Sequence, residues 1–312
     1  MLDAPESLID LFLNLPQMRP FVTAEAKARG VDSRGLRRLV EAGLLVHPVR
    51  GVHYASALTD TLDLRVAALR LVVPRDCVVT DETAAWLWGA KQTLAPNAHL
   101  AVPKVCVFAP PGRRLRNGLT NSGERMLLDR DVMVLGGLLV TTPLRTACDM
   151  GRLLNRDWAL AAMDALAALD QFSVAELCVE LDRFKGYRGI IQARALAPLV
   201  DPGAQSPGES VLRLRWLDVS LPPPRCQIEI PAPNGSYYLL DMGLEDRRFA
   251  AEYDGEEFDG EEQREHDKER RDWAREHLGW TIVVATRQNV FGHARDIDSL
   301  LVARYNEATG HR

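Results

Sequence analysis

The chain has 312 residues, 46% hydrophobic and 26% charged, an ordinary globular composition with length enough for two or three separate cores. Its net charge of −5 excludes a surface coated in positive charge for nonspecific nucleic-acid binding, so any DNA contact falls to local basic faces. No apolar run approaches the roughly 20 residues of a membrane span, and the acidic start MLDAPESLID lacks the basic region of a signal peptide, so a cytoplasmic location is expected.

In chain order, residues 8–15 read as a short helix broken by Pro16 and Pro20. Thr23 is placed to cap a second helix over 24–29, ended by Gly30, and Asp32 or Ser33 to cap a third over 34–42, ended by Gly43. Residues 44–46 and 52–54, joined through Pro48 and Gly51, read as the two strands of a small wing. Three helices and such a wing describe a winged helix-turn-helix. In the third helix Leu36, Leu39 and Val40 make the apolar stripe and leave Arg34, Arg37 and Arg38 on the opposite face. Arginines there suit phosphate and guanine contacts in a major groove, with Arg50 at the wing tip touching the adjacent backbone. A solvated helix face fits the same spacing.

Residues 59–73 read as an amphipathic helix, followed by CVVT at 77–80 and a capped helix through Trp86 and Trp88 to Gly89. Core packing is the expected role of both tryptophans. Residues 99–104 and 132–142 read as strands around a loop that carries Arg113, Arg114 and Arg116. With Lys104, that loop is either a phosphate-binding patch or a solvated charge run. Pro143 opens a further helix, and 157–169 is Ala-rich and helical. The cysteines Cys77, Cys106, Cys148, Cys178 and Cys226 form no Cys-x-x-Cys pair and read as buried reduced thiols rather than a zinc site or disulfide framework. The Pro/Gly-rich stretch 198–208 is the clearest boundary, giving expected domains at 1–57, 58–200 and 203–312.

Beyond that boundary, Ser206-Pro207-Gly208-Glu209 is a capping box ahead of a helix over 209–219. A strand over 225–231 and an Asn234-Gly235 turn lead into two β-rich runs, 237–242 and 248–253, joined by Glu245-Asp246-Arg247 as an antiparallel hairpin. Alternation puts Glu252 and Asp254 opposite Phe249, Ala251 and Tyr253, so that Asp241, Glu252 and Asp254 converge near one sheet face. Hard oxygen ligands of this kind can hold a divalent metal for phosphodiester cleavage. Plainer roles also fit: Glu209 as a cap alone, Asp241 as a strand-end turn residue, Glu252 as a solvated edge carboxylate. Residues 261–278 make a highly charged helix whose Arg264, Lys268, Arg270, Arg271 and Arg275 either follow a phosphate backbone or pair with neighbouring acids. An aliphatic strand over 280–285 and a helix over 296–305 close the chain.

The order of Glu209 on a helix, Asp241 and Glu252 on successive strands, a basic helix and a Gly-Trp-aliphatic strand resembles the PD-(D/E)XK nuclease fold. More narrowly, EYDG at 252–255 followed by HDKERRDWAREHLGWTIVVAT at 266–286 is similar to the very-short-patch-repair endonuclease branch. That resemblance implies a restriction-endonuclease-like α/β/α domain with a mixed sheet. In it Asp241 and Glu252 hold Mg²⁺ or Mn²⁺, Glu209 or Asp254 assists, and metal-bound water hydrolyses DNA in repair or phage defence. Two departures stand out: Asp254 occupies the place of the family's lysine, and Phe258-Asp259 the region of its histidine. Lys268 or His266 would then have to reach back as the base.

The start of the chain, with RLVEAGLLVHPVRGVHY at 38–54, resembles the N-terminal domain of AbiE-type antitoxins, and the likeness continues more weakly into the middle. It implies an alternative, a transcriptional regulator on operator DNA with a toxin partner and a catalytically degenerate nuclease-like domain. Either way the expected class is multidomain α+β: a winged helix, a mixed α/β middle and a nuclease-like end, acting on double-stranded DNA with no membrane involved.

Overall fold

The computed structural model describes residues 7–90, 103–109, 115, 118–123, 125–255, 261–292 and 296–310, with the side chains of 261–264 excepted. The chain is mixed α+β and divides into two compact units, Met1–Thr146 and Ala147–Arg312. Among the described residues no helix is long and apolar enough to cross a membrane.

The first unit begins with α1 (Leu8–Leu13), the short strand β1 (Phe21–Val22), α2 (Thr23–Ala28) and α3 (Ser33–Glu41). Asp32 starts α3 by accepting the Gly35 N–H at 2.7 Å, the usual role of an acidic N-cap. Thr23 does not cap α2: it occupies the helix's first position, and its own N–H is spent on the Gly51 carbonyl at 3.0 Å. The helices enclose Leu11, Phe21, Ala26, Leu36 and Leu39 together with Leu45. Strands β2 (Leu45–Val49) and β3 (Val52–Ala55) pair antiparallel, and β1 adds to the far side of β3.

A second layer follows: α4 (Leu62–Leu69), β4 (Val78–Val79), α5 (Asp81–Trp88), β5 (Val105–Phe108), β6 (Thr120–Gly123), β7 (Val132–Leu135) and β8 (Leu138–Thr141). Thr61 caps α4 and so starts it later than its apolar pattern suggests. The sheet order is β6-β5-β4-β8-β7, with β4 parallel to β8 and antiparallel to β5. A two-glycine turn, Gly136 at φ 54° and Gly137 at φ 82°, closes the β7-β8 hairpin, where positive φ favours glycine. Trp86 and Trp88 pack against the core of Leu69, Val79, Leu87, Val107 and Val140, and the Trp88 indole donates to the Thr141 carbonyl at 2.9 Å. Both are packing residues, as their apolar helix implied. Of the segment expected as a strand over 99–104, residues 99–102 lie outside the described residues.

Helix α6 (Pro143–Leu153) carries the chain into the second unit, where α7 (Arg156–Ala167), α8 (Val174–Glu180) and α9 (Ile190–Leu196) form a helical layer. Nearly all of α7 is buried, and its Asp164 receives Arg213 of α10 (Pro207–Asp218) at 2.7 Å. Strands β9 (Arg225–Pro231), β10 (Tyr237–Leu244) and β11 (Phe249–Asp254) then run antiparallel, helix α11 (Glu261–Leu278) crosses over, and β12 (Thr281–Thr286) returns parallel to β11. Helices α12 (Arg287–Phe291) and α13 (Ile297–Thr309) finish the fold.

This sheet is buried on both faces. One core gathers Val211 and Trp216 of α10 with Met242, Phe249, Ala251 and Val283. The other gathers Ala274 of α11 with Ile228, Ile230, Leu240, Ala250 and Ile282. Strict alternation would put Leu240 and Met242 on the same face, yet they lie in opposite cores. The ladder breaks between them: Asp241 and Gln227 make no pair in the β9-β10 register, and Gln227 adopts φ 52°. Such a local irregularity re-aims the side chain at the break.

Candidate functional site

Two groups of side chains stand out, one in each unit. In the first, Arg34, Arg37 and Arg38 are exposed on α3, while Gly35, Leu36 and Leu39 are buried. The helix therefore offers three guanidiniums from the face that its core does not use. Arg50 is exposed in the β2-β3 turn, but its guanidinium donates to the Gly118 carbonyl at 3.2 Å and its N–H to the Pro103 carbonyl at 2.9 Å. The turn is thus anchored rather than loose. Arg113, Arg114 and Arg116 lie outside the described residues.

The second group is a buried carboxylate centre. Ser206 caps α10 through the Glu209 N–H at 3.1 Å, with Pro207 opening the helix. Glu209 itself reaches back to accept the Gln205 N–H at 2.9 Å and the Gln227 side-chain amide at 3.3 Å. Capping is therefore part of its work. The helix can come this close because residue 208 is glycine, where a Cβ would sit 2.2 Å from the Tyr253 ring. Burial, with the nearby Asp241 adding to it, pushes Glu209 up to about 7.

Asp241 stands at the break in β10, and its Oδ2 accepts the Tyr253 N–H at 2.8 Å. Its pKa is raised, again chiefly by burial. Glu252 is 3% exposed, far from a solvated edge carboxylate. Burial raises it to about 7, against the pull of Arg270 and Arg271.

The cations come from α11. Arg270 forks Glu252, Nη1 to Oε1 at 2.7 Å and Nη2 to Oε2 at 3.1 Å, and also donates to the Leu239 carbonyl. Arg271 donates to Asp254 Oδ2 at 3.1 Å and to the Asp267 carbonyl at 3.0 Å. His266 is instead set edge-on to Tyr238, with ring centroids 6.2 Å apart, and Lys268 is exposed. Among the described residues, the α11 side chains bonded to Glu252 or Asp254 are Arg270 and Arg271. A signal for them was present: Glu252 shares a sheet face with Ala250, the face α11 must cover in a right-handed crossover. A buried acid there calls for a guanidinium fork more than for a point charge.

This arrangement can neutralise and orient carboxylates, and it leaves little for a metal. A hard dication needs several free oxygen donors at close range. Both oxygens of Glu252 are taken by Arg270, and one oxygen each of Asp241, Asp254 and Glu209 is taken by other donors. Among the described residues no three His, Cys, Asp or Glu side chains come together closely enough to hold a metal ion. The donor set as it stands does not fit Mg²⁺ or Mn²⁺.

Residues 77–199 match the model of the AbiEi antitoxin C-terminal domain. The match falls on the middle of the chain, where the likeness to antitoxins was read as the weaker. Two curated relatives, the uncharacterized proteins MT2308 and Rv2248 of Mycobacterium tuberculosis strains CDC 1551 / Oshkosh and ATCC 25618 / H37Rv, are each 33% identical over 246 residues. The matched segment covers 78% of this chain and 86% of each relative.

Proposed function

The chain belongs to the family of these two mycobacterial proteins, and we propose that it is a DNA-binding regulator of the antitoxin kind. In this reading the first unit opens with a winged helix. Helix α3 enters the major groove with Arg34, Arg37 and Arg38, and the β2-β3 turn with Arg50 lies against the backbone beside it. The AbiEi-like segment follows, and a toxin is the partner that the family description suggests. The observation that carries the reading is the antitoxin-domain match over 77–199, which continues a chain whose α3 presents three exposed arginines. The test is a gel shift on the DNA upstream of its own coding sequence, in EDTA, with the wild type and an R34A/R37A/R38A variant. A metal-independent shift that the variant loses supports the reading. An unchanged shift in the variant removes α3 from it.

A second reading rests on a different observation. The order α10, β9, β10, β11, α11, β12, with Glu209, Asp241 and Glu252 drawn from α10, β10 and β11, agrees with the order that the resemblance to the PD-(D/E)XK nuclease fold implies, and supports a nuclease-like reading. Metal-dependent cleavage then requires Arg270 to leave Glu252. Plasmid nicking in Mn²⁺, lost in EDTA and in a D241A/E252A variant, is the result this reading needs.

A further inference from the structure

The carboxylates of the second unit hold a chemical contradiction. Asp241 lies close enough to the buried Glu209 and Glu252 to raise the pKa of each, and Asp267 raises that of the buried Asp241, an arrangement that repels itself unless a cation sits within it. The chain provides that cation. The Arg270 guanidinium is held by acceptors on two neighbouring strands: both oxygens of Glu252 on β11 and the Leu239 carbonyl on β10, two residues before Asp241. Asp267, one turn earlier on α11, lies 3.5 Å from Nη2 and steadies the group from its own helix. Arg270 is 16% exposed in its side chain and Glu252 4%, so the fork is largely removed from solvent.

Arg271 does not duplicate this role. Its Nη1 serves Asp254 and its Nε the Asp267 carbonyl, leaving it 4.0 Å from Glu252. A flat guanidinium with paired N–H groups matches a carboxylate without the near-octahedral shell of oxygens that Mg²⁺ demands.

We infer that Arg270 is the resident cation of this centre, an internal substitute that fills the place of a divalent metal between Asp241 and Glu252 and closes the centre to metal. The inference is independent of DNA binding by the first unit, and either can fail without the other.

The experiment is a Mn²⁺ titration of the full chain, followed by electron paramagnetic resonance and calorimetry, with fold checked by circular dichroism. The wild type is compared with E252Q, R270A, R270Q, R270K and the double variant R270A/E252Q. The wild type and R270K are expected to show no binding that depends on Glu252. R270A or R270Q, whichever keeps the native fold, is expected to bind Mn²⁺ at least about tenfold more tightly than the wild type, and E252Q to abolish the gain. Two outcomes overturn the inference: wild-type binding that E252Q removes, or a folded R270A or R270Q that gains none. Loss of the native fold in both neutral variants, restored by millimolar Mn²⁺, supports it, and loss that no cation restores overturns it.

Discussion

The imidazoles of His47 and His53 lie stacked across the β2-β3 hairpin, ring centroids 4.0 Å apart and planes within 21°. His47 Nε2 and His53 Nδ1 are buried without a hydrogen-bond partner among the described residues. Phe21 stacks on the other side of His53, and Arg50 is the charged group acting on His47. Burial, then His47, holds His53 down at about 3, and burial with Arg50 lowers His47.

The sign of the pH response follows. A histidine depressed in the folded state contributes stability above its unfolded pKa, and that contribution is lost as pH falls below it. With His53 at about 3 folded and 6.5 unfolded, the hairpin loses roughly 1.4 kcal/mol between neutral pH and pH 5.5. Hydrogen exchange of peptides spanning 45–55, corrected for intrinsic rates, should rise on acidification. H53F should flatten the response, since phenylalanine keeps the stack and cannot take a proton. A response identical in H53F assigns the acid sensitivity to another group.

The second unit should answer pH in the opposite sense. Glu209 is raised to about 7 from 4.5, so its contribution is largest below its unfolded pKa and is lost as pH rises through 7. Strands β10 and β11 should exchange more slowly at pH 5.5 than at pH 8, by on the order of 2 kcal/mol in opening free energy. E209Q should remove much of that difference. Strands that open more easily at pH 5.5 would contradict the assignment.

Arg213 and Asp164 join α10 to α7, at 4% and 1% side-chain exposure. Removing one partner strands a buried charge, so R213M should cost about 3–5 kcal/mol in urea unfolding of this unit. Replacing both, as R213M/D164L, should recover most of the loss. A double variant no better than the single would mean that the Arg213 bond to the Leu199 carbonyl and the Asp164 bond from the Asp201 N–H matter more than the ion pair.

Gly208 sets the approach of α10 to β11. G208A drives a Cβ to within 2.2 Å of the Tyr253 ring, and relief requires one of the two elements to move. A loss of about 1–3 kcal/mol is expected, with faster exchange at Tyr253, whose N–H is bonded to Asp241. Unchanged stability would show that the ring turns aside freely.

Local signals made much of this fold legible. The strand read over 225–231 and the charged helix read over 261–278 appear as Arg225–Pro231 and Glu261–Leu278, because pattern, turn residues and Gly279 agree there. The Ser206 cap and the Pro143 helix start are equally local. What escaped depends on partners distant in sequence. The flip at Asp241 depends on the backbone of Gln227 across the ladder, and nothing in YYLLDM encodes it. Arg270 sits 18 residues past Glu252, and its role appears only once the crossover folds α11 over that face. Thr23 lost its expected cap to the Gly51 carbonyl, 28 residues away.

The most direct test of DNA binding by α3 is the salt dependence of affinity for the upstream duplex, measured by fluorescence anisotropy in EDTA. The wild type should bind without metal, with a log–log slope near −0.9 for each phosphate neutralised. R34A, R37A and R38A should each reduce the slope by about one if they contact phosphate, or relax sequence preference if they contact a base. Equal affinity and slope in the wild type and the triple variant, or binding that appears only with added Mn²⁺, would contradict the account.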